Sequence, residues 1–228
     1  MNAPAARTPH DDLHAVLLSR WNALLRRARG GATSPDPAPY GQDLLGRWAE
    51  PQRRYHDRSH LLAVLNRVDE LAPHVSGDAG FELDAVLLAA WFHDAVYRPD
   101  RSENEERSAR LAERALPEAG VADALTAETA RLVRLTVTHD PTADDTNGAV
   151  LCDADLAVLA GSPEEYARYA ADVREEYGFV PDPLFREGRA EVLRQLLSHE
   201  RLFHTRYGQD NWEHTARRNL ATELELLA

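Results

Sequence analysis

The 228-residue sequence is 43% hydrophobic, which is enough for a sizeable core in one large domain or two small ones. Its formal net charge of −12 argues against binding of nucleic-acid polymers through a broad basic face. A small anionic substrate is still compatible with this charge, because a bound cation reverses the local sign.

The cysteine content and the hydropathy pattern predict a cytoplasmic protein. Cys152 is the only cysteine, so no disulfide forms within this sequence, and a reducing compartment is favoured. The first residues lack the apolar segment of a signal peptide. No apolar run approaches the ~18 residues that span a bilayer. We expect no membrane partner, and self-association into a homo-oligomer stays open.

Apolar residues recur at helical spacing along most of the chain, and no stretch of useful length alternates with the period of two that marks a strand. We therefore predict an all-α fold of about nine or ten helices. Residues 1–11 are predicted to be a flexible tail, and residues 12–228 a single helical domain. The predicted helices cover residues 13–29, 40–48, 57–71, 82–97, 102–116, 126–138, 150–159, 163–177, 182–197 and 212–227.

Three of these helices begin with a capping signal. Ser102 and Glu105 have the spacing of a capping box, and so do Ser162 and Glu165. Thr126 is a candidate N-cap for the sixth helix.

The dipeptide His-Asp occurs four times, but only His93-Asp94 lies in a predicted apolar helix. A histidine and an aspartate are costly to bury unless an oppositely charged side chain or a metal ion pairs with them. We interpret this pair as two ligands of a metal ion whose other ligands come from elsewhere in the chain.

A second pair, His56 and His60, is spaced so that both side chains share one face of a helix. Two solvated histidines at a helix start are the simpler interpretation of that spacing. The apolar stripe that begins at Leu61 puts His60 at the edge of the core, which favours a shared pocket instead.

Two carboxylates, Asp153 and Asp155, interrupt an apolar segment. A helix cap explains at most one of them, since a cap is needed only at the helix start. Buried carboxylates need partners, and few basic residues are close in sequence. Mixed histidine and aspartate ligands suit Mn, Fe, Co, Ni, Zn or Mg, and they leave positions for a water that attacks a phosphoryl or carbonyl centre.

This ordered set of a His, a His-Asp pair and a distant Asp resembles the HD-domain superfamily of metal-dependent phosphohydrolases. The segment Tyr-His-x-x-x-His-Leu at 55–61 is similar to a motif of the cyclic-nucleotide phosphodiesterases. Trp91–Tyr97, followed by Asn104–Ala109 and Asp153–Leu156, looks like a bacterial group of predicted HD phosphohydrolases. The resemblance spans about residues 50–227. It implies an HD-type helical bundle that hydrolyses a small phosphorylated metabolite or nucleotide.

The resemblance also implies roles for individual residues. His56 corresponds to the phosphodiesterase histidine that protonates the leaving oxygen. Four side chains correspond to ligands of a divalent metal ion, with Asp153 as the alternative to the last: His60, His93, Asp94 and Asp155. Three more are candidates for substrate contact, although a helix end, a cap and a solvated arginine also explain them: His139, Glu105 and Arg53.

Two other functions stay open at this point. A minority of the superfamily holds a di-iron centre and acts as an oxygenase, which would recruit His139 and Glu105. The other is a regulatory module in which the metal ion has only a structural role. The extra histidine motifs of dinuclear phosphodiesterases are not found, so one metal ion is favoured over two. The resemblance does not identify the substrate.

Overall fold

The computed structural model describes residues 9–227, with side chains from residue 12 onward. Within these residues the fold is all-α, as predicted, and contains no strand. Residues 1–8 of the predicted tail lie outside the described residues, and the first helix begins at Pro9. The helices are α1 (Pro9–Ala28), α2 (Ala38–Arg47), α3 (Arg58–Val75), α4 (Leu83–Phe92), α5 (Asn104–Glu118), α6 (Asp123–Leu135), α7 (Thr146–Leu156), a 3-10 helix (Ala157–Ala160), α8 (Pro163–Glu176), α9 (Asp182–Ser198), α10 (Arg206–Asn211) and α11 (Glu213–Leu227).

Helix α10 is not among the helices predicted from the sequence. It has only 6 residues, too few to show an apolar stripe with helical spacing. Its start is fixed by Thr205, whose hydroxyl accepts a hydrogen bond from the Gly208 N–H at 3.0 Å.

Helix α4 lies at the centre of the fold. Every residue from Ala85 to Phe92 is buried, and the helix packs against α1, α3, α5, α6 and α7. A helix that is apolar on all faces is stable only when it is surrounded in this way. It is nevertheless short, and none of the described helices is both long and apolar enough to cross a bilayer.

Helix α4 ends at Phe92, so the predicted end at residue 97 is wrong. Beyond this end, a side chain of α5 binds the backbone of Val96 in place of a further helical turn. The Ser108 hydroxyl accepts from the Val96 N–H at 3.0 Å and donates to the Val96 carbonyl at 3.3 Å. His93 and Asp94 therefore lie just beyond the buried end of α4, and not inside the helix.

The predicted capping box of Ser102 and Glu105 is wrong. Helix α5 begins at Asn104, and its N-cap residue, Glu103, makes no side-chain cap hydrogen bond. Asn104 is buried, and its side-chain amide donates to the Arg98 carbonyl of the preceding loop at 2.9 Å. The loop between α4 and α5 is thus held by tertiary hydrogen bonds that no local motif reports.

The other two capping predictions have opposite outcomes. Thr126 is not a cap, because α6 begins at Asp123 and Thr126 lies buried within it. The capping box at α8 is confirmed: the Ser162 hydroxyl accepts from the Glu165 N–H at 3.3 Å, and the Glu165 carboxylate accepts from the Ser162 N–H at 2.8 Å.

Candidate metal centre

Three helices bring together the side chains of His60, His93, Asp94 and Asp155, here called the His–Asp cluster. His60 is in the first turn of α3, His93 and Asp94 follow α4, and Asp155 is near the end of α7. The Nε2 atoms of the two histidines are 3.3 Å apart. Asp155 Oδ1 lies 3.1 Å from His60 Nε2 and 3.6 Å from His93 Nε2, and Asp94 Oδ2 lies 3.3 Å from His93 Nε2.

Within the cluster, the two histidines are almost fully buried, whereas the two carboxylates are partly exposed to solvent. The side chains of His60 and His93 are 4% and 2% exposed, whereas those of Asp94 and Asp155 are 13% and 14% exposed. The Trp48 ring covers His93, with 5.3 Å between ring centroids. Burial lowers the pKa of His60, which favours the neutral imidazole that a metal ion requires.

The tautomer of His93 makes the donor set suitable for a cation. Its Nδ1 donates to the Ala90 carbonyl at 2.9 Å, so a neutral His93 directs the Nε2 lone pair at the carboxylates of Asp94 and Asp155. A lone pair facing carboxylate oxygens is repulsive unless a proton or a cation lies between them. Burial opposes the charge on His93, but the two carboxylates raise its pKa to about 9. A divalent cation would take the place of that proton.

Asp155 is held from its other side by His139. The His139 Nε2 lies 2.8 Å from Asp155 Oδ2, so Oδ1 is left for the cluster. His139 adopts a φ of 51°, a left-handed conformation that is uncommon for a residue with a side chain. We interpret this contact as orienting the carboxylate of Asp155.

Asp153, the predicted alternative to Asp155, faces away from the cluster. It is fully buried, and its Oδ1 accepts from the His204 N–H at 2.7 Å. Its Oδ2 accepts from the N–H and the hydroxyl of Thr205, at 2.8 and 2.6 Å. Burial raises the pKa of Asp153 to about 7, although these hydrogen bonds oppose the shift. Asp153 anchors the segment before α10, and Asp155 is the carboxylate in the cluster.

His56 lies beside the cluster, but not for the predicted reason. Helix α3 begins at Arg58 and is capped by Asp57, so His56 precedes the helix and shares no helical face with His60. The loop nevertheless brings the two imidazole centroids to 5.6 Å. His56 Nε2 is 4.0 Å from Asp94 Oδ2, at the edge of the cluster.

Glu176, which sequence reasoning missed, fixes the orientation of His56. The His56 Nδ1 donates to Glu176 Oε1 at 2.5 Å, and Glu176 Oε2 accepts the N–H groups of Arg54, Tyr55 and His56 at 2.9, 3.2 and 3.2 Å. Burial acts to lower the pKa of His56, but Glu176 raises it above the usual value. One signal was available: Glu176 is the last residue of α8, where the helix dipole disfavours an anion.

The predicted substrate contact of Arg53 does not fit its position. Its side chain is fully buried, and its guanidinium donates to the carbonyls of His56 and Asp94 at 2.9 and 2.8 Å. Arg53 therefore links the loop that contains His56 to the loop that contains Asp94. Glu105 is half-buried and forms no hydrogen bond or ion pair to the cluster within the described residues.

A cavity of about 510 Å³ opens onto His60 and Asp155. Three arginines line it: Arg54, Arg67 and Arg168. The first two form ion pairs with glutamates. Arg168 has no carboxylate within ion-pair distance among residues 12–227, so it is available to an anionic ligand.

Comparison with known proteins adds no relative. No family model, no curated protein and no solved structure matches the chain.

Proposed function

We propose that this chain is a metal-dependent hydrolase of phosphate esters, with an HD-type set of ligands in the His–Asp cluster. The observation that carries the proposal is the arrangement of donor atoms. The Nε2 atoms of His60 and His93 and Oδ1 of Asp155 lie within 3.1 to 3.6 Å of one another. Asp94 Oδ2 adjoins this group, 3.3 Å from His93 Nε2. A histidine held by a buried carboxylate adjoins them. A cluster that served only as a network of ion pairs would not need the Nε2 atoms of His60 and His93 to face each other.

A divalent ion bound by the cluster would supply a Lewis acid for a phosphoryl oxygen and an acidified water as the nucleophile. His60 and His93 would contribute neutral Nε2 donors, and Asp94 and Asp155 would contribute charged oxygens. Mixed ligands of this kind accept Mn, Fe, Co, Ni, Zn or Mg. His139 keeps the Asp155 carboxylate in its orientation, and Trp48 keeps water from the histidine side.

His56 serves as the general acid in this proposal. Its Nδ1 proton is bound to Glu176, which leaves Nε2 directed toward the edge of the cluster. The charge of Glu176 favours the protonated imidazole, so a proton is available at Nε2 for the leaving oxygen.

The substrate is proposed to be a small phosphorylated molecule. The cavity of about 510 Å³ has room for a metabolite, and Arg168, which forms no ion pair with the described side chains, offers a cation for its phosphate. The net charge of −12 argues against a nucleic-acid polymer as the substrate. We also propose a cytoplasmic location, since a sequence with a single cysteine, Cys152, suits a reducing compartment.

Metal analysis of the purified chain, followed by a panel of phosphate monoesters and diesters with several divalent ions, tests the proposal. His93→Ala and Asp94→Ala are expected to lose both the metal and the activity. His214→Ala removes an exposed histidine of α11 and is expected to keep both. Full turnover by a metal-free double variant of His93 and Asp94 would refute the assignment.

A di-iron oxygenase is the second candidate, because the two oxygens of Asp155 face different histidines. Oδ1 lies near His60 and His93, and Oδ2 contacts His139, so this carboxylate and the three histidines would be the residues to hold two ions. Two irons per chain with oxygen consumption would favour it, and anaerobic hydrolysis with Mn would exclude it. A metal-loaded chain that neither hydrolyses esters nor consumes oxygen would leave the metal with a structural role.

A further inference from the structure

A second cavity, of about 460 Å³, adjoins the candidate general acid. His56 is part of its wall, and Tyr169 lines both this cavity and the one at His60 and Asp155. Helices α8 and α9 and the loop between them supply most of the remaining wall, which is largely apolar: Val173, Val180, Leu184, Phe185 and Val192.

The cavity offers no free charge to an anionic group. Among the described residues, Arg189 is the one cationic side chain that lines it besides His56. The Arg189 guanidinium forms two hydrogen bonds to Glu223, at 2.8 and 2.9 Å, and two to the Tyr169 hydroxyl at 3.3 Å. Its charge is therefore neutralised at the cavity wall, and the space suits an apolar or aromatic group.

Two apolar side chains of the cavity wall are largely exposed to solvent, and a bound ligand would cover them. Leu184 is 60% exposed and Val192 is 47% exposed, and both lie on α9. Clustered exposed apolar residues mark binding surfaces more often than scattered ones do.

We propose that this cavity binds the apolar or aromatic leaving group of the substrate, an inference that rests on the proposed function. The substrate class is then phosphate esters of aryl or similarly apolar alcohols, and not sugar phosphates. A general acid must contact the leaving oxygen, and His56 lies both at the edge of the His–Asp cluster and in the wall of the apolar cavity.

The proposed step balances as a hydrolysis. The bond from phosphorus to the leaving oxygen breaks, and a bond from phosphorus to the water oxygen forms. The leaving oxygen takes the proton from His56 Nε2. The attacking water releases one proton to solvent, and His56 regains a proton from solvent. The apolar alcohol stays in the cavity until it dissociates.

Two glycines give a matched pair of variants that separates filling the cavity from perturbing a helix. Gly188 of α9 lines the cavity, and Gly46 of α2 does not. Both are helical, and an added Cβ meets no heavy atom within 4 Å at either position. Gly188→Phe is expected to occupy the cavity, whereas Gly46→Phe introduces the same side chain elsewhere.

Two valines give a second pair, which tests polarity without adding bulk. Val192 is 47% exposed in the cavity wall, and Val16 on α1 is 49% exposed and outside it. Val192→Glu introduces a charge beside the apolar group, and Val16→Glu is the control. If Gly188→Phe fails to fold, the valine pair still measures whether the cavity binds an apolar group.

The first measurement is binding of 1-naphthol, an apolar alcohol, to the metal-free full chain by calorimetry, which does not depend on catalysis. Gly188→Phe and Val192→Glu are expected to weaken binding about tenfold or more, since the burial of a ring against apolar surface is lost. The two control variants are expected to bind like the unmodified chain. Absence of 1-naphthol binding by the unmodified chain, or equal losses in the controls, would overturn the inference.

The second measurement is the ratio of kcat/KM for 1-naphthyl phosphate to that for glycerol phosphate with Mn. Gly188→Phe is expected to lower this ratio about tenfold, and Gly46→Phe to preserve it. Hydrolysis with an unchanged ratio would overturn this inference and leave the proposed function standing. Naphthol binding without hydrolysis of any ester would refute the proposed function, and the leaving-group assignment with it. A dimer that Gly188→Phe dissociates would show that a second copy covers the cavity, and would also overturn it.

Discussion

The Glu176 carboxylate holds the His56 imidazole by a 2.5 Å hydrogen bond to Nδ1. Its other oxygen accepts the backbone N–H groups of residues 54–56, so one buried side chain fixes both the loop and the ring. The last residue of α8 thereby orients a histidine that precedes α3. His56 is thus oriented independently of any ion in the cluster.

Glu176→Gln is expected to lower kcat about tenfold to a hundredfold, because the amide no longer favours the protonated imidazole of His56. The loss should be larger for an alkyl ester than for a nitrophenyl ester, whose leaving oxygen hardly needs a proton. Steady-state kinetics on both esters, with metal content measured in parallel, checks this. Glu175→Gln is the control, since Glu175 is exposed and pairs with Arg54. Equal losses on both esters would mean that Glu176 acts only on the fold.

Asp155→Asn and Asp153→Asn are expected to separate metal binding from stability. Asp155→Asn should remove the metal, because the amide weakens the charged donor next to His60 and His93. Asp153→Asn should keep the metal but lower the free energy of unfolding by about 1–3 kcal/mol, since its NH₂ group faces buried donors. Metal analysis and urea denaturation measure the two effects. Loss of metal only in the Asp153 variant would reverse the ligand assignment.

His139→Ala is expected to weaken metal binding about tenfold to a hundredfold without abolishing it, because Asp155 loses its orienting hydrogen bond. Competition with a chelator gives the affinity. His139→Gly removes the same hydrogen bond and also relieves the left-handed backbone at this position. Both variants should bind metal equally weakly, and the glycine variant should be no less stable than the alanine variant. Unchanged affinity in both would remove His139 from the site.

Arg53→Met is expected to lower the free energy of unfolding by about 3 kcal/mol, because the buried carbonyls of His56 and Asp94 lose a charged donor. Metal affinity should fall with it, as the two loops come apart. Arg54→Met is the neighbouring control: its exposed pair with Glu175 should contribute less than about 1 kcal/mol. Urea denaturation of the metal-free variants measures both. A stable Arg53→Met chain with an altered KM alone would restore the predicted substrate contact.

Most of the helices could be predicted from the sequence alone. The apolar stripe of α3, the fully apolar α4 and the capping box at Ser162 are local signals, and local hydrogen bonding and burial suffice to explain them. The end of α4 was predicted wrongly because Ser108, a residue of another helix, binds the Val96 backbone. No pattern within residues 82–97 reports that contact.

The residue types of the candidate site were also visible in the sequence, since a buried histidine or aspartate needs a partner whatever the fold is. Which of them meet was decided by packing. Asp153 and Asp155 are the same residue type two positions apart, and on a helix such positions point roughly 200° from each other. Packing of α7 against α3 directs Asp155 to His60, whereas Asp153 binds the segment before α10. Glu176 joined the site for the same reason, because its partner His56 is distant in sequence and only the folded chain brings the two together.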